Sequence, residues 1–201
     1  EQPAHVEAAQ HQVDQADHHR VHDQQEQADQ QDEHKQAHLD QPKELQLAEE
    51  DGPGIKENDF DTFMNIHFKS VYFLTQAALP MLNDNGRILN ISTGTTRFCV
   101  PGYSIYASMK GAIEVFTKYL AKDAGARGIT VNVVAPGPIE TDFNNAAISN
   151  NPDRKTLLAS QAALGRIGQA ADIGGIVAFL CSEDSGWITG QRIEASGGVN
   201  L

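Results

Sequence analysis

The sequence predicts an α/β domain built on a parallel sheet, preceded by a tail of different composition. After residue 51, short apolar runs alternate with long segments of helical periodicity, in the order strand, helix, strand, helix, strand. This alternation is typical of a parallel sheet covered by helices. The first 50 residues, in contrast, contain no glycine, no aromatic residue and few apolar side chains.

The elements of the domain can be assigned in chain order. Apolar residues recur at helical spacing between Phe60 and Leu82, with His67 on the same stripe, which predicts the first helix. The run GRILNIST at 86–93 follows an Asn/Asp/Gly turn and predicts a buried strand. The remaining predictions are a helix from about Ser104 to Lys122, a β-branched strand at 128–136 stopped by Pro136, a helix at 171–182 and a last strand at 190–196.

Residues 1–50 form a Gln-, His- and acid-rich tail. They hold 13 acidic and 3 basic residues, a net charge of −10, whereas the 14 acidic and 12 basic residues of 51–201 give only −2. Their few Val and Leu side chains cannot offset chain entropy, so we expect an unstructured or frayed-helical segment. A metal-collecting role for its seven histidines is the alternative. No metal site is predicted, because these histidines lack a fixed i, i+4 pairing.

Composition also excludes several classes of partner. The net charge of −12 argues against nucleic acid or an anionic membrane, since both attract basic proteins. Cys99 and Cys181 are too few for a disulfide framework and lack metal-ligand spacing, so a cytoplasmic location is expected. No apolar run reaches the roughly 18 residues of a membrane span, and no leader pattern opens the chain.

A tyrosine and a lysine in the second helix form a candidate catalytic pair. Tyr106 and Lys110 are four residues apart, so both side chains lie on one helix face. A phenol beside an ammonium group is a candidate acid, and we expect Lys110 to lower the pKa of the tyrosine toward neutral pH. The alternative is a solvated helix that carries the two residues by coincidence.

Four motifs in order resemble the short-chain dehydrogenase/reductase family: GRILNIST, YASMK, GITVNVVAPGPIETDF and ITGQRIEASGG. The resemblance covers about residues 55–201. It implies the C-terminal portion of a Rossmann-type doubly wound parallel sheet that uses NAD or NADP. It further implies hydride transfer between nicotinamide and a small-molecule carbonyl or alcohol substrate, in a homodimer or homotetramer.

The resemblance assigns roles to individual positions. Tyr106 corresponds to the family's general acid/base, and Lys110 to its partner, which also binds the nicotinamide ribose. The serine that orients the substrate lies thirteen residues before the tyrosine, which here is Thr93, with Ser92 adjacent as the second choice. Threonine supplies the same hydroxyl on a stiffer side chain.

The catalytic asparagine of the family is replaced in this chain. Its position falls on His67, with Asn65 two residues earlier. Two interpretations of His67 remain open: it holds the relay water through a ring nitrogen, or it is a core histidine satisfied by a backbone carbonyl.

Cofactor contacts are implied for the segment PGPIETD. The resemblance places Pro136, Gly137, Ile139 and Thr141 near the nicotinamide carboxamide, and it adds Asn90 of GRILNIST to the cofactor contacts. A fixed Pro/Gly turn is a suitable place for a backbone to meet a planar ligand. The alternative is a turn that only ends a strand. Residues 142–168 correspond to the variable lid over the substrate.

The family's glycine-rich turn has no counterpart in the printed sequence. That turn holds the cofactor pyrophosphate at a helix N-terminus, and residues 1–50 contain no glycine. We therefore expect impaired activity and suspect that residues 1–50 are not family sequence but come from a fragmentary gene or a wrong reading frame.

Two functional hypotheses follow from these motifs. One is an NAD(P)-dependent oxidoreductase, and the other is a non-catalytic truncated chain or pseudoenzyme that only self-associates. A hydrolase is disfavoured, because the sequence has no GxSxG and only one histidine outside the tail.

Overall fold

The computed structural model describes residues 55–143, 148 and 150–201. The predicted tail at residues 1–50 lies outside the described residues, and so do residues 144–147 and 149 of the predicted lid. All described residues belong to the structural unit Lys43–Leu201.

Three strands form the sheet of the described region. They are β1 (Arg87–Ile91), β2 (Thr130–Pro136) and β5 (Arg192–Ala195), arranged in the order β1-β2-β5. Both pairings are parallel, with Asn90 opposite Val133 and Val133 opposite Arg192. The predicted parallel sheet is therefore confirmed. Its central strand β2 is buried from Thr130 to Ala135, as expected for a strand covered on both faces.

The first predicted helix is present but interrupted. It consists of α1 (Glu57–Met64) and α2 (Ser70–Ala78), joined by a π-helical turn at Asn65–Lys69. A π turn inserts an extra residue into the helix, shifts the following side chains around its axis, and is frequent at functional sites. His67 lies at its centre.

Two helices pack against the main sheet. The helix α3 (Ser104–Ala124) and the helix α5 (Ala170–Cys181) both contact β1 and β2. Between α3 and the start of β2 lies a cluster of buried apolar residues: Leu120, Ala121, Ala124, Ile129 and Val131. A capping box between Gln169 and Asp172 starts α5. These elements confirm the Rossmann-type α/β prediction for this part of the chain.

The region between β2 and α5 contains elements that the sequence did not predict. Two-residue strands β3 (Ile139–Glu140) and β4 (Gly168–Gln169) pair in parallel, and α4 (Pro152–Ser160) lies between them in sequence. Strands of two residues carry no periodic pattern, so sequence reasoning cannot find them. The start of α4 is visible in hindsight, because Asn151 caps the helix and Pro152 opens it.

A buried asparagine fixes the turn before β5. Asn132 in β2 donates to the carbonyl of Ile188 (2.8 Å) and accepts from the amide of Gln191 (3.0 Å). It is only 1% exposed. These two bonds satisfy a polar group inside the core and align β5 with β2.

Candidate functional site

The carboxyl end of the sheet brings the predicted catalytic residues together. Thr93 follows β1, and both Tyr106 and Lys110 lie in the first two turns of α3. His67 reaches the same place from the π turn, because its ring contacts that of Tyr106. In open parallel sheets, ligands bind at this edge, outside the carboxyl ends of the strands.

The phenol of Tyr106 is hydrogen-bonded to Thr93. The Thr93 hydroxyl also accepts from the backbone amide of Thr95 at 3.3 Å, which fixes its rotamer at the end of β1. Tyr106 itself is half-buried. A substrate carbonyl that met these two groups would receive hydrogen bonds from both hydroxyls.

Ser92, the other candidate for the orienting hydroxyl, lies on the opposite side of the chain. Its side chain is buried (3% exposed) and donates to a carboxylate oxygen of Glu114 at 2.6 Å. Consecutive residues of an extended chain point in opposite directions, so only one of Ser92 and Thr93 can face the tyrosine. The structure brings Thr93 to Tyr106 and turns Ser92 toward α3.

The ammonium group of Lys110 lies 5.8 Å from the centre of the Tyr106 ring. It donates a hydrogen bond to the carbonyl of Ile91, the last residue of β1, at 3.1 Å. Burial lowers the pKa of Lys110, because desolvation disfavours the charged form.

The pKa of Tyr106 corrects one prediction. Burial raises it to about 12, the hydrogen bond to Thr93 offsets part of that rise, and Tyr103 adds to it. Lys110 is not among the causes of the shift. The expectation that Lys110 lowers this pKa toward neutral pH is wrong here, because its ammonium group is directed to the Ile91 carbonyl and the phenol is desolvated.

His67 packs directly against Tyr106. The two rings meet edge to face, with centroids 5.0 Å apart and an interplanar angle of 87°. Phe63 lies on the other side, 5.6 Å away. Burial first, and the charge of Lys110 second, lower the pKa of His67 to about 4, so the imidazole is neutral at neutral pH. A neutral ring fits both open interpretations of this residue.

The predicted cofactor loop leaves β2 at the same sheet edge. The amide of Gly137 donates to Ala195 at 3.0 Å, and a Cβ at this glycine would lie 2.7 Å from the Cα of Ser196. Ile139 then enters β3, and the exposed Thr141 hydroxyl accepts from the amide of Phe143 at 3.3 Å. Pro136 and Gly137 thus run close against β5 before the chain turns outward.

Asn90 lies apart from this group. Its side chain is 6% exposed and donates to the hydroxyl of Thr117 on α3 at 2.9 Å. The amide therefore joins β1 to α3 within the core.

Sequence reasoning missed two residues beside Tyr106. The ring of Tyr103 lies 6.4 Å from that of Tyr106, and Arg154 of α4 donates to the Tyr103 hydroxyl at 3.2 Å. Spacing was the available signal for Tyr103, which precedes Tyr106 by three residues and so shares its helical face. Arg154 carried no signal, since it arrives from a distant element.

Within the part of the chain that the structure describes, no three His, Cys, Asp or Glu side chains are close enough to hold a metal ion. None of the described helices has the length and apolar content to cross a membrane.

Comparison with known proteins decides the family. The family model described as enoyl-(acyl carrier protein) reductase matches residues 45–200. The chain belongs to the short-chain dehydrogenase/reductase family. The 3-oxoacyl-(acyl-carrier-protein) reductase FabG of Haemophilus influenzae is 39% identical over 149 residues, which are 73% of this chain and 60% of the relative.

Solved structures of the family superpose on the same region. The angucycline C-6 ketoreductase LanV with bound NADP gives a TM-score of 0.69 at 38% identity, over 74% of this chain and 56% of LanV. A short-chain dehydrogenase/reductase from Serratia marcescens gives 0.68 at 34% identity, over 75% of this chain and 60% of that protein. The chain therefore spans less than two thirds of the length of these relatives.

Proposed function

We propose that residues 55–201 carry the catalytic half of an NAD(P)-dependent reductase that acts on a small-molecule ketone. The observation that carries the proposal is the convergence of three groups at one sheet edge: the Tyr106 phenol, the Thr93 hydroxyl bonded to it, and the Lys110 ammonium. The NADP bound to LanV supports the proposed cofactor. The similarity to the 3-oxoacyl-(acyl-carrier-protein) reductase FabG of Haemophilus influenzae supports the proposed reaction class.

The donors present suit a nicotinamide cofactor. The exposed Thr141 hydroxyl, the backbone at Ile139 and the Lys110 ammonium lie at the carboxyl edge of the sheet. These are hydrogen-bonding groups of the kind that a carboxamide and a ribose require. Pro136 and Gly137 fix the path of this loop. Asn90 supports the site from within, by holding β1 against α3.

Each side chain has a role in ketone reduction. A nicotinamide cofactor held at this edge of the sheet would supply the hydride for the carbonyl carbon. Tyr106 donates its phenolic proton to the carbonyl oxygen, and Thr93 donates a second hydrogen bond that orients it. With a pKa of about 12, Tyr106 remains protonated at neutral pH and is ready to act as the acid.

His67 completes the site as the residue that positions the tyrosine. Its edge-to-face contact holds the Tyr106 ring, and its low pKa keeps it uncharged beside Lys110. A neutral imidazole in this place can hold a relay water through a ring nitrogen, which is the function that the family resemblance implies for asparagine at this position.

Replacement of Tyr106 tests the proposal. NADPH oxidation is measured at millimolar NADPH with two probe ketones, the bicyclic aromatic α-tetralone and a 3-oxoacyl thioester. Tyr106→Phe is expected to lower kcat/KM on the order of 10² to 10⁴-fold, because the positioned proton donor is lost. Tyr119→Phe is the matched control, since Tyr119 lies on the same helix and is 70% exposed. Unchanged turnover in Tyr106→Phe would show that the tyrosine is not the acid.

Replacement of Lys110 tests its proposed double role in catalysis and cofactor binding. Lys110→Ala is expected to reduce both turnover and NADPH affinity, whereas Tyr106→Phe leaves affinity nearly unchanged. The exposed Lys118 on α3 provides the control Lys118→Ala. A normal NADPH affinity in Lys110→Ala contradicts the proposed ribose contact.

The proposal extends to assembly and location. Large apolar side chains on α2 and α3 are exposed, among them Leu74 (71%) and Val115 (54%), which supports a homodimer or homotetramer through these helices. Cys99 and Cys181 are both free and exposed, which supports a reducing compartment such as the cytoplasm.

A further inference from the structure

Four charged residues form a cluster that contacts the loop after β1, the loop that carries Thr93. It consists of Glu114 on α3, Arg192 and Glu194 on β5, and Arg97 at the end of the loop. None of these side chains belongs to the predicted catalytic or cofactor set. The cluster joins three parts of the fold and carries no net charge.

Glu114 is the centre of this cluster. One of its carboxylate oxygens, Oε1, accepts hydrogen bonds from the Ser92 hydroxyl (2.6 Å), the Thr96 hydroxyl (2.7 Å) and Nε of Arg192 (2.8 Å). The side chains of Glu114 and Arg192 are only 17% and 21% exposed. A largely buried carboxylate needs a charge partner and hydrogen-bond donors, and here Oε1 has three donors, one of them the guanidinium group of Arg192.

Arg192 connects Glu114 to the backbone of Thr93. Its Nη2 donates to the carbonyl of Thr93 and to the hydroxyl of Thr96, both at 3.1 Å. Its Nη1 donates to Glu194 at 2.9 Å. The guanidinium group therefore fixes the peptide of the residue whose hydroxyl meets Tyr106.

The far end of the loop is held by the second ion pair. Arg97 donates to both carboxylate oxygens of Glu194 at 2.7 and 2.8 Å, and to the carbonyl of Asn200 at 3.0 Å. The arginine holds the pKa of Glu194 down at about 2, so the carboxylate stays charged. Ser92, Thr93, Thr96 and Arg97 are all restrained through one continuous set of charge-assisted bonds.

We propose that Glu114 and Arg192 are positioning residues, which hold the segment 92–97 so that the Thr93 hydroxyl is correctly placed for the substrate carbonyl. This inference rests on the proposed function. Tyr106, Lys110 and Glu114 follow one another at four-residue steps, so one face of α3 presents the acid, the ammonium and the anchor of the loop. Placement matters because a shift of about 1 Å at a reacting group lowers rates by about 10²-fold.

Hydrogen exchange in the complete 201-residue chain tests the inference without activity. The amides of Arg97 and Phe98 bond the carbonyl of Gly94 within the loop. In Glu114→Gln we expect exchange in 94–98 to be at least about tenfold faster, the factor for losing one hydrogen bond to a charged group. Asp84→Asn is the control, because Asp84 pairs with Arg127 (2.8 Å) away from the loop. Unchanged exchange in Glu114→Gln overturns the inference.

Kinetic coupling to Thr93 separates a positioning role from general stability. Glu114→Gln is expected to lower kcat by up to about 10²-fold with KM nearly unchanged. In a Thr93→Val background, where the hydroxyl is already absent, the same substitution is expected to cause no further loss. An equal loss in both backgrounds contradicts the inference. Asp84→Asn is expected to change neither constant.

Two readouts distinguish this inference from the proposed function. Full activity of Tyr106→Phe overturns the proposed function, while the exchange experiment still decides whether Glu114 holds the loop. If circular dichroism shows that Glu114→Gln is unfolded, Arg192→Lys replaces it. Lysine keeps the positive charge but has no second nitrogen to bond the Thr93 carbonyl, so the same faster exchange in 94–98 is expected. Unchanged exchange in Arg192→Lys would contradict the inference.

Discussion

Tyr106, Lys110 and His67 are each shifted toward their uncharged form by burial. The pKa of the tyrosine rises to about 12, that of the histidine falls to about 4, and that of the lysine is also lowered. Desolvation disfavours every charged form, regardless of sign. At neutral pH the phenol and the imidazole are therefore both neutral, and the site has a proton to donate.

The depressed pKa of His67 gives a testable pH dependence of stability. Its ordinary value is 6.5 and its value in the folded chain is about 4, so the unfolded chain binds more protons between these limits. The free energy of unfolding should consequently decrease as pH falls from 6.5 to about 4. Urea denaturation of the wild type and His67→Gln measures this, and the variant should lose less stability over the interval.

The pH range from 6.5 to 4.5 separates the contribution of His67 to stability from that of Glu194. Glu194, with a pKa of about 2 against an ordinary 4.5, contributes stability that is lost only below pH 4.5. Identical slopes for wild type and His67→Gln between pH 6.5 and 4.5 would contradict the assignment.

At the scale of elements, the contact between the loop after β2 and the end of β5 fixes the proposed cofactor loop. Gly137 approaches Ser196 so closely that a Cβ would lie 2.7 Å from both its Cα and its Cβ. Only glycine allows the two chains to run at this distance. The position of Ile139 and Thr141 depends on that approach.

Substitution of Gly137 should consequently harm both stability and cofactor binding. Gly137→Ala is expected to cost about 1 to 3 kcal/mol of unfolding free energy through overpacking, and to weaken NADPH binding by displacing the loop. Gly174→Ala is the control, because this glycine lies in α5 with no neighbour within 4 Å of a new Cβ. That change should stabilise the chain by about 1 kcal/mol. Chemical denaturation that showed equal effects for both would refute the argument.

At the scale of the whole molecule, the exposed faces of α2 and α3 form the apolar surface that is proposed for self-association. Its members are partly to largely exposed: Tyr72, Phe73, Leu74, Val115 and Tyr119. Large exposed apolar side chains on neighbouring helices support an interaction surface. Ala107 and Gly111, small residues on α3, allow a second helix to approach closely.

Self-association through this face is measurable. Sedimentation at micromolar concentration is expected to show dimers or tetramers of the wild type, and Val115→Arg should shift the chain toward monomer, because an unpaired charge would be buried. Leu157→Arg on α4, at a side chain that is 59% exposed, should leave assembly unchanged. A wild type that remains monomeric contradicts the proposal.

The 201-residue chain on its own should bind NADPH weakly. The contacts proposed for Lys110, Ile139 and Thr141 involve only the nicotinamide end of the cofactor, and residues 1–50 contain no glycine for a pyrophosphate-binding turn. Each absent hydrogen bond to a phosphate is worth about 1.5 to 3 kcal/mol, so losing several weakens affinity by at least about three orders of magnitude. Calorimetric titration with NADPH and NADH measures it, and micromolar affinity for either would contradict the expectation.

The sequence by itself determined the order of the longer strands and helices, the parallel sheet and the position of Tyr106 and Lys110 on one helix face. These follow from local periodicity: apolar runs specify β1 and β2, and a four-residue spacing specifies a shared helix face. The family motifs depend on the same local order of residues.

Only the tertiary structure decided between Ser92 and Thr93, raised the pKa of Tyr106, and placed Arg154 beside Tyr103. The charged cluster of Glu114, Arg192, Glu194 and Arg97 likewise joins residues up to 97 positions apart. Desolvation and long-range hydrogen bonds depend on which surfaces meet when the chain packs, and no local pattern encodes that.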